Sequence, residues 1–311
     1  MPDSFKITSV GAQPSVRDPR ATRRIGRLRL PQGQWFWQEE GRGIPVIFLH
    51  GAIAESSQWD RVLDAITADH RDRLHCFAPD LLGCGESLST QGSSIANQSA
   101  ALLAYLDTLD LQQVWLVGTS VGAWIACHLA IAHPNRVAGL ILLDPDGAVL
   151  PKSLQQVRRR QHRWARRKFR RQWLNFAKRF SKRATDRWHQ VNHLRSHGNQ
   201  FKVWDRLLIK RPKAERQAEW LANLSAIQQP VLLMRSGGTD PITTHNHQHF
   251  ITNLPHAQHH SLNALPTLPH LDPVNTPPHH ITPIDPVNNP AEATAEIDQH
   301  LIPFILSPHA N

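Results

Sequence analysis

The chain has few cysteines, no apolar leader and no long hydrophobic run, and each shortage closes off a class of protein. Cys76, Cys84 and Cys127 are its three cysteines. They show no metal-ligand spacing, and an odd number argues against a disulfide scaffold. Free thiols in a reducing compartment follow. Met1 to Arg29 is mostly polar and basic, with no h-region of a secretory signal. No stretch approaches the ~20 apolar residues that span a bilayer. The expectation is a cytoplasmic protein. Acidic residues are scarce in one place. From Lys152 to Lys213 there are 21 Lys or Arg against only Asp186 and Asp205, which leaves 14 basic and 23 acidic residues elsewhere. The rest of the chain is thus net acidic, and this one block makes the formal net charge positive, at +10.

What is present suits one large α/β domain with an insertion, or two small domains: 311 residues, 40% of them hydrophobic. Residues 1–26 read as a lead-in. Arg27–Leu30 and Gln34–Gln38, joined at Pro31-Gln32-Gly33, predict an antiparallel hairpin at a sheet edge. Short apolar strands are predicted at Ile44–Leu49, Leu74–Pro79, Gln113–Val117, Val137–Leu143 and Pro230–Met234, with a last one at Gln258–Leu262. Helical patterns lie at Ser57–Ala68, Ile95–Leu109, Ser120–Ala132 and Glu292–Leu306. Strands alternating with helices imply a mostly parallel central sheet covered on both faces.

The stretch with most chemistry is Leu116-Val117-Gly118-Thr119-Ser120-Val121-Gly122-Ala123. It is Gly-x-Ser-x-Gly between a strand and a helix. A serine at such a turn sits in a strained backbone conformation with its hydroxyl exposed above the sheet edge. Gly118 and Gly122 stand where a side chain would collide as strand and helix approach. The amide of Val121, at the helix N-terminus, is placed to stabilise an oxyanion. A second amide, near Ala52, follows the strand that ends in His50-Gly51. An ordinary glycine turn is the other reading there. Asp80, in Asp80-Leu81-Leu82-Gly83-Cys84-Gly85-Glu86-Ser87, reads as a structural carboxylate bonding the loop amides, and Cys84 as a packed small side chain. Asp240 follows a strand and a glycine turn, the place for a carboxylate that orients a histidine.

Residues 151–217 lack strand signals. Trp164, Phe169, Trp173, Phe176 and Phe180 recur mostly at three- and four-residue spacing, one apolar stripe on a cationic helix. This predicts an inserted basic helical cap, with the core formed by 27–150 and 218–311. From Pro255 to Pro290 the chain is dense in His and Pro and reads as a long loop with one duplicated turn, Asp272-Pro273-Val274-Asn275 and Asp285-Pro286-Val287-Asn288.

Together Phe48-Leu49-His50-Gly51, Ala78 to Ser87, Leu116 to Gly122, His133 to Leu140 and Gly238-Thr239-Asp240-Pro241 resemble the α/β-hydrolase family, especially its cap-bearing, esterase-like members. The resemblance covers about Arg27 to Leu150 and then Pro230 onward. It implies a serine hydrolase of carboxylic-ester type with Ser120 as nucleophile, Asp240 as acid, Val121 and Ala52 as oxyanion amides, and no metal or organic cofactor. The family's usual Gly-His pair after the last strand is replaced by Asn263-Ala264-Leu265-Pro266-Thr267. His280 has the spacing to the last helix that best resembles the family, followed by His270 and then His279. Thr119 stands where many relatives carry histidine, which bears on subtype. Haloalkane dehalogenases and epoxide hydrolases are set aside. They place aspartate at the nucleophile position, and Tyr105, the one tyrosine, precedes the cap. Carbon–carbon bond hydrolases share the serine and stay open.

The expected substrate is a small ester-like molecule. The basic cap is expected to attract anionic substrates or an anionic membrane surface. Non-specific nucleic-acid binding ranks lower, since no nucleic-acid motif is present. The competing class is a hydrolase-fold protein without catalysis that binds a partner through the cap.

Overall fold

A computed structural model describes residues 23–52, 54–90, 94–148, 150, 152–163, 167, 203, 205–209, 219–236, 240–262 and 290–307. Nine strands form one sheet: β1 (Arg24–Leu30), β2 (Gly33–Gly41), β3 (Ile44–Leu49), β4 (Leu74–Pro79), β5 (Leu88–Ser89), β6 (Val114–Thr119), β7 (Val137–Leu143), β8 (Val231–Arg235) and β9 (Gln258–Ser261). Their order is β1-β2-β4-β3-β6-β7-β8-β9, with β5 paired to β2. The hairpin β1–β2 is antiparallel and sits at the edge, and β2 runs antiparallel to β4. From β4 to β9 every pairing is parallel.

The strands at the centre bury both faces, so period-two alternation sorts their side chains into two cores. Leu116, Leu140 and Leu142 join one cluster, while Trp115, Val117 and Ile141 join the other. Helices α2 (Ile95–Thr108) and α3 (Val121–Ala132) cover the first face. Trp35 stacks on Tyr105 there, ring centroids 5.1 Å apart. Helix α1 (Asp60–His70) and the C-terminal α5 (Pro290–Ile305) cover the second through Val62, Leu63, Ile66, Ile297 and Leu301. Between them in the chain lies α4 (Pro241–Asn253), which adds Phe250 to the first core. No helix among the described residues is long and apolar enough to cross a membrane.

The predicted elements recur with shifted ends. The expected helix from Ser57 opens as a 3₁₀ turn at Ser56–Trp59 before α1. Strand β5 and helix α4 were not expected: β5 is too short to carry a pattern, and α4 is hidden by its run of histidines. Within the predicted insertion, residues 152–163 are helical. The aromatic stripe Trp164 to Phe180 lies outside the described residues.

Candidate active site

Strand β6 enters its turn through Gly118 and Thr119, and α3 leaves it at Val121. Ser120 is the corner, with φ 52° and ψ −114°. A non-glycine residue held there stores ~1–3 kcal/mol of strain. Main-chain bonds hold it. The Ser120 amide donates to the Leu143 carbonyl at 3.1 Å, and the Ser120 carbonyl accepts the Asp146 amide at 3.0 Å. A Cβ on Gly118 would lie 2.5 Å from the Ala123 nitrogen, and one on Gly122 would lie 2.3 Å from the Leu49 carbonyl oxygen. Helix and strands therefore approach more closely than any side chain permits.

The turn after β3 lies beside this corner. A Cβ on Gly51 would be 3.6 Å from the Ser120 Cβ. Two side chains hold the turn. Gln58 Oε1 accepts the Gly51 amide at 3.0 Å. His50 Nε2 accepts the Leu81 amide at 2.9 Å, so its hydrogen is on Nδ1, which donates to the Gly51 carbonyl at 2.7 Å. Burial pushes the His50 pKa down to about 4, so the ring stays neutral and this tautomer is fixed. The Gly51 turn and the N-terminus of α3 thus both border Ser120, and Val121 opens that helix, where unbonded amides favour negative charge.

The Ser120 hydroxyl donates to Asp146 Oδ2 at 3.1 Å. Asp146 Oδ1 accepts from Asn246 Nδ2 on α4 at 3.1 Å and from Arg158 Nη2 on the helix over residues 152–163. Both members of the Arg158–Asp146 ion pair are buried. Asn246 is fixed in turn, its Oδ1 accepting the Ala148 amide at 3.0 Å. Asp144, at φ 42°, ties the end of β7 to β8 by accepting the Ser236 amide at 3.0 Å. Burial raises its pKa.

Asp240 is buried at the start of α4. Its Oδ2 caps the helix, accepting the Thr243 amide at 2.8 Å and the Thr243 hydroxyl at 3.0 Å. Its Oδ1 faces Gln161 Nε2 at 3.5 Å. Arg158, Gln161 and His162 share one face of their helix, three and four residues apart, and all are buried. His162 Nε2 lies 3.5 Å from Asp205 Oδ1. Among the described residues no hydrogen bond joins Asp240 to Ser120. His270, His279 and His280 lie outside the described residues.

Asp80 has the expected structural role: its carboxylate accepts the amides of Ser56 at 2.6 Å and Glu86 at 2.7 Å. Cys84 is buried and packed. Three residues at the corner were not singled out from the sequence: Asp146, Asn246 and Arg158. For Asp146 there was a usable signal, since Asp144-Pro145-Asp146-Gly147 closes the strand next to β6, where Leu143 pairs with Thr119. No group of three or more His, Cys, Asp and Glu among the described residues could hold a metal ion.

The model of the alpha/beta hydrolase fold family matches residues 44–268. The chain belongs to that family. Lipase LipV of Mycobacterium tuberculosis is 37% identical over 36% of this chain and 41% of its own length. The 2-hydroxymuconate semialdehyde hydrolase of Pseudomonas sp. strain CF600 is 31% identical over 43% of this chain and 48% of its own length. The matched region thus spans under half of these curated relatives. Among solved structures, lip1, a proposed lipase of Acinetobacter baumannii AYE, has a TM-score of 0.67 at 18% identity, covering 91% of both chains. That likeness concerns the α/β-hydrolase fold.

Proposed function

We propose that this alpha/beta hydrolase is a serine hydrolase that cleaves an ester or related acyl or carbonyl substrate. The observation that carries the reading is the strained corner at Ser120, set against the Gly51 turn and the N-terminus of α3. Ser120 attacks the carbonyl, a histidine takes its proton, and the tetrahedral oxyanion rests on the amides of Val121 and Ala52. Asp240 orients the histidine and stabilises its charged form. His280 is the first choice for that base and His270 the second. Water then releases the acyl group. The names of the relatives, a lipase and a 2-hydroxymuconate semialdehyde hydrolase, support hydrolysis, and the serine suits both.

A fluorophosphonate probe tests the reading. Wild type is expected to label and Ser120→Ala is not, and loss of labelling in His280→Ala but not His270→Ala identifies the base. Folded wild type that does not label would defeat it. The reading in that case is a binding protein. One observation favours it: the described partner of the Ser120 proton is a carboxylate and not an imidazole. The basic block of residues 152–213 is proposed to draw in anionic substrate or an anionic membrane surface. Salt-sensitive pelleting with anionic vesicles, absent with neutral ones, is the expected result for the membrane surface.

A further inference from the structure

A serine hydroxyl has one proton to donate. Here it goes to Asp146 Oδ2, so while that bond stands it cannot go to an imidazole. The carboxylate is an acceptor because Asn246 Nδ2 and Arg158 Nη2 both donate to its other oxygen. Its negative charge also opposes charge developing on the serine oxygen. Arg158 offsets that charge from the opposite side, and it belongs to the helix over residues 152–163, whose Gln161 also faces Asp240.

We propose that Asp146 is a positioning residue that restrains the Ser120 hydroxyl in a withdrawn rotamer, and that Arg158 relaxes the restraint when its helix is seated against the core. The inference rests on Ser120 being the nucleophile. With Arg158 in place, Asp146 shares its charge between a cation and the serine, and the serine bond is weak enough to exchange for an imidazole. With Arg158 withdrawn, Asp146 is a buried carboxylate with one strong donor fewer, and it holds Ser120 harder. Seating of the cap helix is thus coupled to the readiness of the nucleophile through a single carboxylate.

The two variants should move reactivity in opposite directions, which a scaffold role would not produce. The readout is the second-order rate of fluorophosphonate labelling at mildly alkaline pH, with thermal melting to confirm folding. Asp146→Asn keeps the shape and removes the charge, and is expected to label about tenfold faster, the scale of one charge-assisted hydrogen bond. Arg158→Gln is expected to label about tenfold more slowly on the same scale. Arg158→Lys keeps the cation and should stay near wild type. The double variant Asp146→Asn, Arg158→Gln should recover the fast rate, because the slow rate requires the carboxylate. An Asp146→Asn rate at or below wild type, or a double variant as slow as Arg158→Gln, overturns the latch. Failure of wild type itself to label removes the functional reading, and the latch with it. A labelled wild type with an unchanged Asp146→Asn removes the latch alone.

Discussion

Asp80 occupies the space that a side chain on Gly85 would need: a Cβ there would lie 1.9 Å from Asp80 Oδ2. Gly85 has φ 50°, so any other residue there is strained by backbone as well as by contact. The same carboxylate holds the Ser56 and Glu86 amides, and the amide of Leu81, next in the chain, caps the His50 ring beside the serine turn. Gly85→Ala is therefore expected to destabilise the protein by roughly 2–4 kcal/mol, from strain and the displaced carboxylate together. Urea unfolding followed by tryptophan fluorescence measures it. A loss within experimental error of zero would mean that the loop re-forms without this contact.

His50 gives a pH dependence with a definite sign. Burial lowers its folded pKa from 6.5 to about 4. As pH falls, the unfolded chain takes up the proton first, so the stability His50 contributes is whole above about pH 6.5. It is lost progressively between there and pH 4. The loss is on the order of 3 kcal/mol at 1.36 kcal/mol per pKa unit. Asp80, whose pKa burial raises to about 6, works in the opposite sense and weakens as pH rises through that value. The clean measurement is a difference. The stability gap between wild type and His50→Asn should narrow as pH falls from 6.5 towards 4, and a constant gap would contradict the fixed neutral tautomer.

The three thiols are all buried, and burial alone is the leading cause of their raised pKa values, to about 12 for Cys76. A thiol reacts as thiolate. Native protein at mildly alkaline pH should therefore resist Ellman's reagent, and all three cysteines should react once it is unfolded in guanidinium. Fast reaction of one thiol in the folded state would point to local opening, with the loop of Cys84 the first place to look.

The core strands are legible because they are buried on both faces, so Ile44–Leu49 and Val137–Leu143 read as unbroken apolar runs bounded by turn residues. The corner is legible too, since Gly-x-Ser-x-Gly fixes a local geometry and needs no distant partner. Helix α4 is not, because Thr243 to His249 has little apolar periodicity. Its cue was Asp240-Pro241, a cap followed by proline at the first helical position. The spatial order of the sheet, with β3 between β4 and β6, depends on crossovers that local pattern does not encode. Arg158 is the instructive case. In composition it matches its neighbours Arg159 and Arg160 in the basic block, yet it is buried while they are exposed. Only packing against Asp146, 12 positions away in the chain, separates it from a solvated charge.

Strain at Ser120 can be isolated by comparing two truncations. Ser120→Ala and Ser120→Gly both remove the hydroxyl and its bond to Asp146, so that loss cancels between them. Alanine keeps a Cβ at φ 52°, whereas glycine does not. Ordinarily glycine is the less stable of the two by ~0.5–1 kcal/mol, because the unfolded chain gains freedom. Here relief of ~1–3 kcal/mol of backbone strain should exceed that. Ser120→Gly is therefore expected to melt above Ser120→Ala, by about 1 kcal/mol in chemical denaturation on the same estimate, and neither should label with fluorophosphonate. The reverse order of stability would show that the corner is relaxed, and that the serine's placement costs the fold nothing.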